Sequence, residues 1–266
     1  MSADPDIKTV VREKYGEIAK GTSECGCGPS CCGGNDAPTS QKIGQYIGYD
    51  AEALAAIPEG ANLGLGCGNP LAHAEVRRGE VVLDLGSGAG MDAFLAAREV
   101  GPTGRVIGVD MTPDMVDRAR ENASKAGVGN VEFRLGEIER LPVADNAVDV
   151  IISNCVINLS PDKAAVFAEA FRVLKPGGRM VVSDLVLKQP LPEDVRHSVE
   201  AYVGCVAGAS LQTEYLALMR AAGFQDVRTV EERSYGDAAL FGGYEWLREA
   251  AKSVVSAKVR AVKPLI

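Results

Sequence analysis

Histidine is nearly missing from this 266-residue chain, which has only His73 and His197, so an imidazole-rich zinc site is poorly supplied. No apolar run approaches the roughly 20 residues that a membrane span needs. The N-terminal stretch MSADPDIKTVVREKYGEIAK has no hydrophobic h-region and reads as an amphipathic helix rather than a signal peptide. No cluster of Lys and Arg offsets the net charge of −8, so a nucleic-acid backbone would be repelled rather than gripped. The expectation is a cytoplasmic monomer that meets neither nucleic acid nor membrane.

What is present is a sizeable apolar fraction and too many cysteines for chance. Hydrophobic residues make up 46% of the chain, enough for a proper core and too many for a disordered protein. The seven cysteines are Cys25, Cys27, Cys31, Cys32, Cys67, Cys155 and Cys205. An odd count in a reducing compartment argues against a disulfide framework, leaving metal binding, metalloid binding or thiol chemistry.

Along the chain, residues 21–40 (GTSECGCGPSCCGGNDAPTS) are small, polar and aperiodic and read as a loop carrying four of the cysteines. A short helix is expected around Asp50–Ala56, and from Val81 onward strands and helices alternate. VVLDL is the continuous apolar run of a strand covered on both faces. A helix follows over Met91–Val100, then the strand RVIGVD. The next helix has Thr112 as N-cap, Pro113 at its first position and Gly127 as its stop. VEFRL, VDVIISN and RMVVSD are further strands, with a helix before the Pro-Gly-Gly turn at 176–178. Repeated β-α units of this length predict an α/β fold with an open, mostly parallel sheet. Beyond Asp184 the pattern predicts one helix over PEDVRHSVEAYVGCVAGAS, with Val195, Val199, Tyr202, Val203 and Val206 on one face. A helix over QTEYLALMRAAGF, a returning strand at DVRTVEERSYG and a helical last thirty residues complete the reading. Three parts are expected: residues 1–41 (helix and Cys-rich loop), 42–188 (cofactor-binding domain) and 189–266 (substrate part).

The loop DLGSGAG, with Asp84, Gly86, Ser87, Gly88 and Gly90, stands at a strand-to-helix junction. In open α/β sheets ligands bind at the carboxyl ends of the strands, and glycines let the backbone approach them closely. A dinucleotide fingerprint G-x-G-x-x-G would need glycine at position 91, where Met91 stands. Asp110 closes the second strand, about 20 residues on, placed to accept hydrogen bonds from ribose hydroxyls. An adenosine without a pyrophosphate fits this pattern. VLDLGSGAG, VIGVDMTPDMVDRAR and VLKPGGRMVVSD together resemble the class I S-adenosylmethionine methyltransferases, a Rossmann-like fold. That resemblance implies a cofactor site of Asp84, Gly86, Ser87, Gly88, Gly90, Asp110, Met111, Glu137, Ile138 and Asn154. Gly86, Gly88 and Gly90 would line the methionine and ribose end, and Asp110 would hold the ribose. Met111, Glu137 and Ile138 would surround adenine, and Asn154 would stand near the reactive end.

Three cysteines remain outside the N-terminal cluster. Cys155 follows the strand VDVIISN at the cofactor rim, Cys205 is expected within the helix after the sheet, and Cys67 sits in LGLGCGNP, a flexible setting with little to bury it. Taken singly, Cys155 and Cys205 could each be a small buried hydrophobe. Together, three thiolates without imidazole or carboxylate suit a soft, thiophilic centre. Zinc usually wants a fourth ligand, whereas trivalent arsenic has three bonds and a nucleophilic lone pair. The segments GCGNP, SNCVINLSPDK and YVGCVAGAS resemble the arsenite methyltransferases. The resemblance implies that Cys67, Cys155 and Cys205 bind arsenic(III), with arsenite or its thiol complexes as substrate. It also implies a further N-terminal cysteine that relays electrons, for which Cys32 is the choice, with thioredoxin or glutathione as reductant. The N-terminal cluster could instead capture arsenic for delivery, bind zinc through four thiolates, or be a disordered leader. Two other readings stay open: a carbon or oxygen methyltransferase of ubiquinone-biosynthesis type, and a metalloid-binding sensor or carrier.

Overall fold

The computed structural model describes residues 6–22, 40–234 and 253–265. Helix α1 (Ile7–Lys20) starts at Asp6, whose side chain accepts from the Lys8 N–H, and ends at Gly21 in the left-handed conformation. Two short helices follow, α2 (Ser40–Tyr46) and α3 (Ala51–Ala55), the latter capped by Asp50. The alternating units are β1 (Val81–Leu85), α4 (Met91–Val100), β2 (Arg105–Asp110), α5 (Pro113–Ala126), β3 (Val131–Leu135), β4 (Val148–Asn154), α6 (Lys163–Val173) and β5 (Leu174–Leu187). Then come α7 (Glu193–Arg196), α8 (Val199–Val203), α9 (Gln212–Ala221), β6 (Gln225–Ser234) and β7 (Val254–Val262).

These strands form a seven-stranded sheet in the order β3-β2-β1-β4-β5-β7-β6. β1 to β5 are parallel, and β7 runs antiparallel between β5 and β6. Both faces are buried, as the apolar runs require. Leu83, Ile107, Ile151 and Val182 pack on one side with Phe167 of α6 and Tyr215 of α9. Their neighbours Val82, Val106, Ile152 and Val181 pack on the other side with Phe94 and Leu95 of α4. No helix among the described residues is long and apolar enough to cross a membrane.

Two expectations are corrected. The last thirty residues do not form a helix where they are described, because Val254–Val262 is strand β7. VVSAKVRAV carries four β-branched valines, and its backbone supplies the partner that the edges of β5 and β6 would otherwise lack. The expected single helix around Cys205 is two short ones. Ser198 interrupts the run by capping α8, accepting from the Ala201 N–H. Gly204 then ends α8, so Cys205 lies just beyond the helix. Val199, expected on the buried stripe, is 46% exposed.

Candidate active site

The strand order reverses at β1, because the chain runs outward through β2 and β3 and then returns on the other side with β4 and β5. Such a switch point opens a crevice at the carboxyl ends of the strands. Here it is a cavity of about 260 Å³, lined by the glycine loop after β1, the ends of β2 and β4, the 61–67 loop, α1 and the turn after α8.

The cofactor side grows from the loop 86–90. Gly86 has φ +64°, and a Cβ there would stand 2.7 Å from Cβ of Val156, so no other residue fits without moving β4's exit. The Asp110 carboxylate accepts from the Gly88 and Thr112 N–H groups, at 2.9 and 2.8 Å, and so ties the loop to the end of β2. Asp84, Asp92 and Asp110 are all buried beside this loop and line the cavity. Burial raises all three carboxyl pKa values, and Asp84 is raised further by its two acidic neighbours. Asp92 is pushed up to about 6. Among the described residues, Oδ2 of Asp84 and Oγ of Ser87 have no hydrogen-bond partner and are buried. Lys8, also on the cavity wall, is bound to Glu137 and Glu139 at 2.8 and 2.9 Å. An acidic cluster with unmet acceptors suits a ligand carrying an ammonium and a sulfonium, so these residues fit S-adenosylmethionine.

The thiol side gathers three loops. Cys155 follows β4 and Cys205 follows α8, with φ +60° and +63°. Both carry a side chain in the left-handed region, at a cost of about 1–2 kcal/mol each. Strain of this kind collects where a side chain must be aimed. Cys205 Sγ donates to the Cys155 carbonyl at 2.8 Å, and Cys155 N donates to the Ser183 carbonyl at 2.8 Å. That same carbonyl accepts from Cys67 Sγ at 3.4 Å. Sulfurs of Cys67 and Cys155 and a carboxylate oxygen of Asp184 lie within 4.8 Å of one another. Hydrogen bonding with Cys205 and Cys67, together with burial, holds the Cys155 thiol well above the usual thiol range. Asp184, pushed up to about 7 by burial, accepts from Asn158 Nδ2 at 2.9 Å and the Tyr215 hydroxyl at 3.1 Å.

Most of the expected residues meet in this cavity. Cys67, Cys155, Cys205, Asp84, Gly86, Ser87, Gly88, Asp110, Met111, Ile138 and Asn154 all line it. Gly90 and Glu137 do not. A Cβ on Gly90 would stand 2.6 Å from Phe94 and 2.8 Å from Phe133, so its smallness serves helix–sheet packing. Glu137 turns to Lys8 and Arg12, and its neighbour Glu139 takes the place on the wall. Cys67 is 4% exposed, packed with Val11, Leu159 and Leu185, and so is well buried despite its glycine neighbours. Cys32, with the rest of the N-terminal cluster, lies outside the described residues. The sequence reading missed Asp92, Asp184 and the α1 residues Val11 and Tyr15. Only the apolar spacing of α1 and the acid at the second position of α4 could have signalled them.

A family model described as a methyltransferase domain matches residues 77–223. An arsenite methyltransferase from Halobacterium salinarum is 46% identical over 99% of this chain and 69% of its own length. The chain spans 60–69% of the length of three such curated relatives, from Halobacterium salinarum, Aquipseudomonas alcaligenes and Homo sapiens. A ubiquinone/menaquinone biosynthesis C-methyltransferase from Klebsiella pneumoniae is 40% identical over 48% of the chain and 50% of its own length. Among solved structures, an arsenic(III) S-adenosylmethionine methyltransferase from Chlamydomonas reinhardtii is similar at TM-score 0.64 and 34% identity. That match covers 86% of this chain and 74% of the other. With a switch-point cavity that joins a cationic-ligand pocket to a set of buried thiols, this chain belongs to the arsenite methyltransferases, within the class I S-adenosylmethionine-dependent fold.

Proposed function

We propose that this chain methylates trivalent arsenic, taken up as arsenite or its thiol complexes, and releases methylated arsenicals. The observation that carries this reading is the meeting of Cys67, Cys155 and Cys205 on the wall of the cavity that holds the glycine loop. Bound S-adenosylmethionine supplies an electrophilic methyl group. Asp84 and Ser87, with unmet acceptors, would hold its charged methionine end. Asp110 would take the ribose, and Met111 and Ile138 would flank the adenine.

The three thiols hold the substrate. Each Cys–arsenic bond forms as a thiolate or hydroxide leaves arsenic, and the S–H proton departs on that leaving group. Three sulfurs leave arsenic its lone pair, which forms the arsenic–carbon bond as the methyl–sulfur bond breaks. No general base is needed, which accords with the scarcity of histidine. The protein contributes position and orientation, worth up to about 7–11 kcal/mol in favourable cases. Val11 and Tyr15 of α1, over the cavity, would exclude water. Arsenic ends formally oxidised by two electrons, which a cysteine pair can return by forming a disulfide. Cys32 is the proposed relay, and thioredoxin or glutathione the reductant that resets it.

The test is methyl transfer from S-adenosylmethionine to arsenite with a thiol reductant, read as methylated arsenic by mass spectrometry, with Cys67→Ser alongside. Methylated arsenic from the parent and little from the variant is expected. Cofactor binding without arsenic methylation would defeat the reading and favour an organic substrate.

A further inference from the structure

Cys67 is held by its main chain as well as by its sulfur. Its N–H donates to Oδ1 of Asn154 at 3.0 Å, and its carbonyl accepts from Oγ of Ser256 at 2.7 Å. The first partner ends β4, and the second lies on β7, 189 residues away in the chain. Asn154 also reaches past the cysteine, donating from Nδ2 to the Gly68 carbonyl at 2.7 Å. The two neighbouring glycines make this approach possible. A Cβ on Gly66, which has φ +111°, would fall 2.8–3.0 Å from the Asn154 amide. One on Gly68 would stand inside the Ser183 hydroxyl and 3.3 Å from Lys258. The thiol in turn meets Ser183 O at 3.4 Å and Ser183 Oγ at 3.9 Å and hydrogen-bonds with Cys155.

The far side of Asn154 faces the cofactor pocket. Nδ2 reaches Oδ2 of Asp92 at 3.1 Å and the Tyr49 hydroxyl at 3.0 Å, and that hydroxyl donates to Asp92 Oδ1 at 2.5 Å. Reversing the amide would set a donor against the Cys67 N–H, so the network fixes its orientation. Asn154 and Ser256 are both buried or half-buried, and neither adds a charge to the site.

We propose that Asn154 and Ser256 form a two-point clamp on the Cys67 peptide, and that this clamp presents the third sulfur to arsenic. Both act as positioning residues. The inference rests on the functional reading above and adds a role for β7, a strand with no residue in the thiol set. Without the clamp the 64–68 loop, rich in glycine, would spread over many conformations, and ordering it would weaken arsenic binding. Asn154 shares its hydrogen bonds with Asp92, so its loss is felt in the cofactor pocket as well, whereas loss of Ser256 is confined to the thiol side.

The experiment uses the full chain and titrates it with arsenite. Affinity is read from the thiolate–arsenic absorption, and the number of sulfurs on arsenic from X-ray absorption. Cofactor affinity is measured in parallel by calorimetry. Ser256→Ala is expected to weaken arsenite binding by about three- to tenfold and to shift arsenic from three sulfurs towards two, with cofactor affinity held. Asn154→Ala should do the same to arsenite and weaken the cofactor too. Ser183→Ala, which removes a hydroxyl packed against Gly68 and 3.9 Å from the thiol but no hydrogen bond to the Cys67 peptide, should leave both affinities and the sulfur count at the parental level. Folding of each variant is checked by circular dichroism. Parental arsenite affinity with three sulfurs in folded Ser256→Ala would overturn the clamp, as would an equal loss in Ser183→Ala. A Cys67→Ser variant that still binds arsenite through three sulfurs would overturn the functional reading itself.

Discussion

On the cofactor side of the cavity, Asp84, Gly86, Ser87, Gly88, Met91 and Asp92 come from one strand-to-helix junction, with Asp110, Met111, Thr112, Ile138 and Glu139 added from beyond the next strands. On the thiol side Cys155 and Cys205 stand 50 residues apart, and Cys67 is held by a serine 189 residues away. Unusual backbone is handled differently on the two sides as well. The cofactor loop puts glycines at its left-handed positions, so the backbone itself can approach the ligand. The thiol side puts Cys155 and Cys205 at theirs and accepts the strain to aim a side chain. A site that recognises through its backbone can be local, while one that needs several converging side chains must be assembled by the fold.

The comparison breaks most clearly at Cys155. Cys155→Ser should reduce arsenic methylation below detection while cofactor affinity stays within about twofold, because the Cys155 thiol's hydrogen-bond partners, Cys67 and Cys205, lie on the thiol side. Mass spectrometry of methylated arsenic and calorimetry of the cofactor read the two sides separately. Loss of both together would mean that the walls are one unit.

Asp84→Asn is the converse. Removing a buried acceptor for the ammonium should weaken cofactor binding by about 10- to 100-fold. The melting temperature of the free protein should hold or rise, because Asp84 is crowded by Asp92 and Asp110 and buried without a cation. Unchanged cofactor affinity would remove Asp84 from the site.

Gly90→Ala tests the boundary between site and scaffold. The added methyl would meet Phe94 and Phe133, and φ is +99°. Chemical denaturation should show a loss of about 1–3 kcal/mol. Cofactor affinity corrected for the unfolded fraction should change less than in Gly86→Ala, whose loop lines the cavity.

A pH series sharpens the cofactor side alone. Asp92, at about 6 in the fold against an ordinary value near 3.8, prefers its proton when folded. Its contribution to the stability of the free protein is therefore present at low pH and is lost as pH rises from about 4 through 6. The cationic cofactor prefers the ionised acid, so its affinity should climb between pH 5 and 7, with proton release visible as buffer-dependent binding heat. A flat affinity over that range would rule out Asp92 as the titrating group.

The smallest effect is expected at Glu137, which lies outside the cavity and is 42% exposed at its side chain. Glu137→Gln should cost under about 1 kcal/mol, since Lys8 keeps Glu139 and exposed pairs are weak. The KM for the cofactor should stay within about twofold, and a larger change would show that α1 must be anchored for the cofactor to bind.

The parallel units, the ends of α5 at Thr112, Pro113 and Gly127, and the glycine loop were legible in the chain, because each is fixed by residues within a turn or two of one another. So was most of the cofactor side, which is written in consecutive letters. Strand β7 was not, since VVSAKVRAV becomes a strand by filling the gap between β5 and β6, which no local propensity reveals. Composition alone settles which sulfurs are available and that imidazoles are scarce. It took the folded chain to bury Cys67, to bring Asn154 and Ser256 onto its peptide, and to set Asp92 rather than Glu137 on the cavity wall. Those facts depend on hydrogen bonds and packing between segments far apart in the chain, and they exist only once the sheet has closed around the cavity.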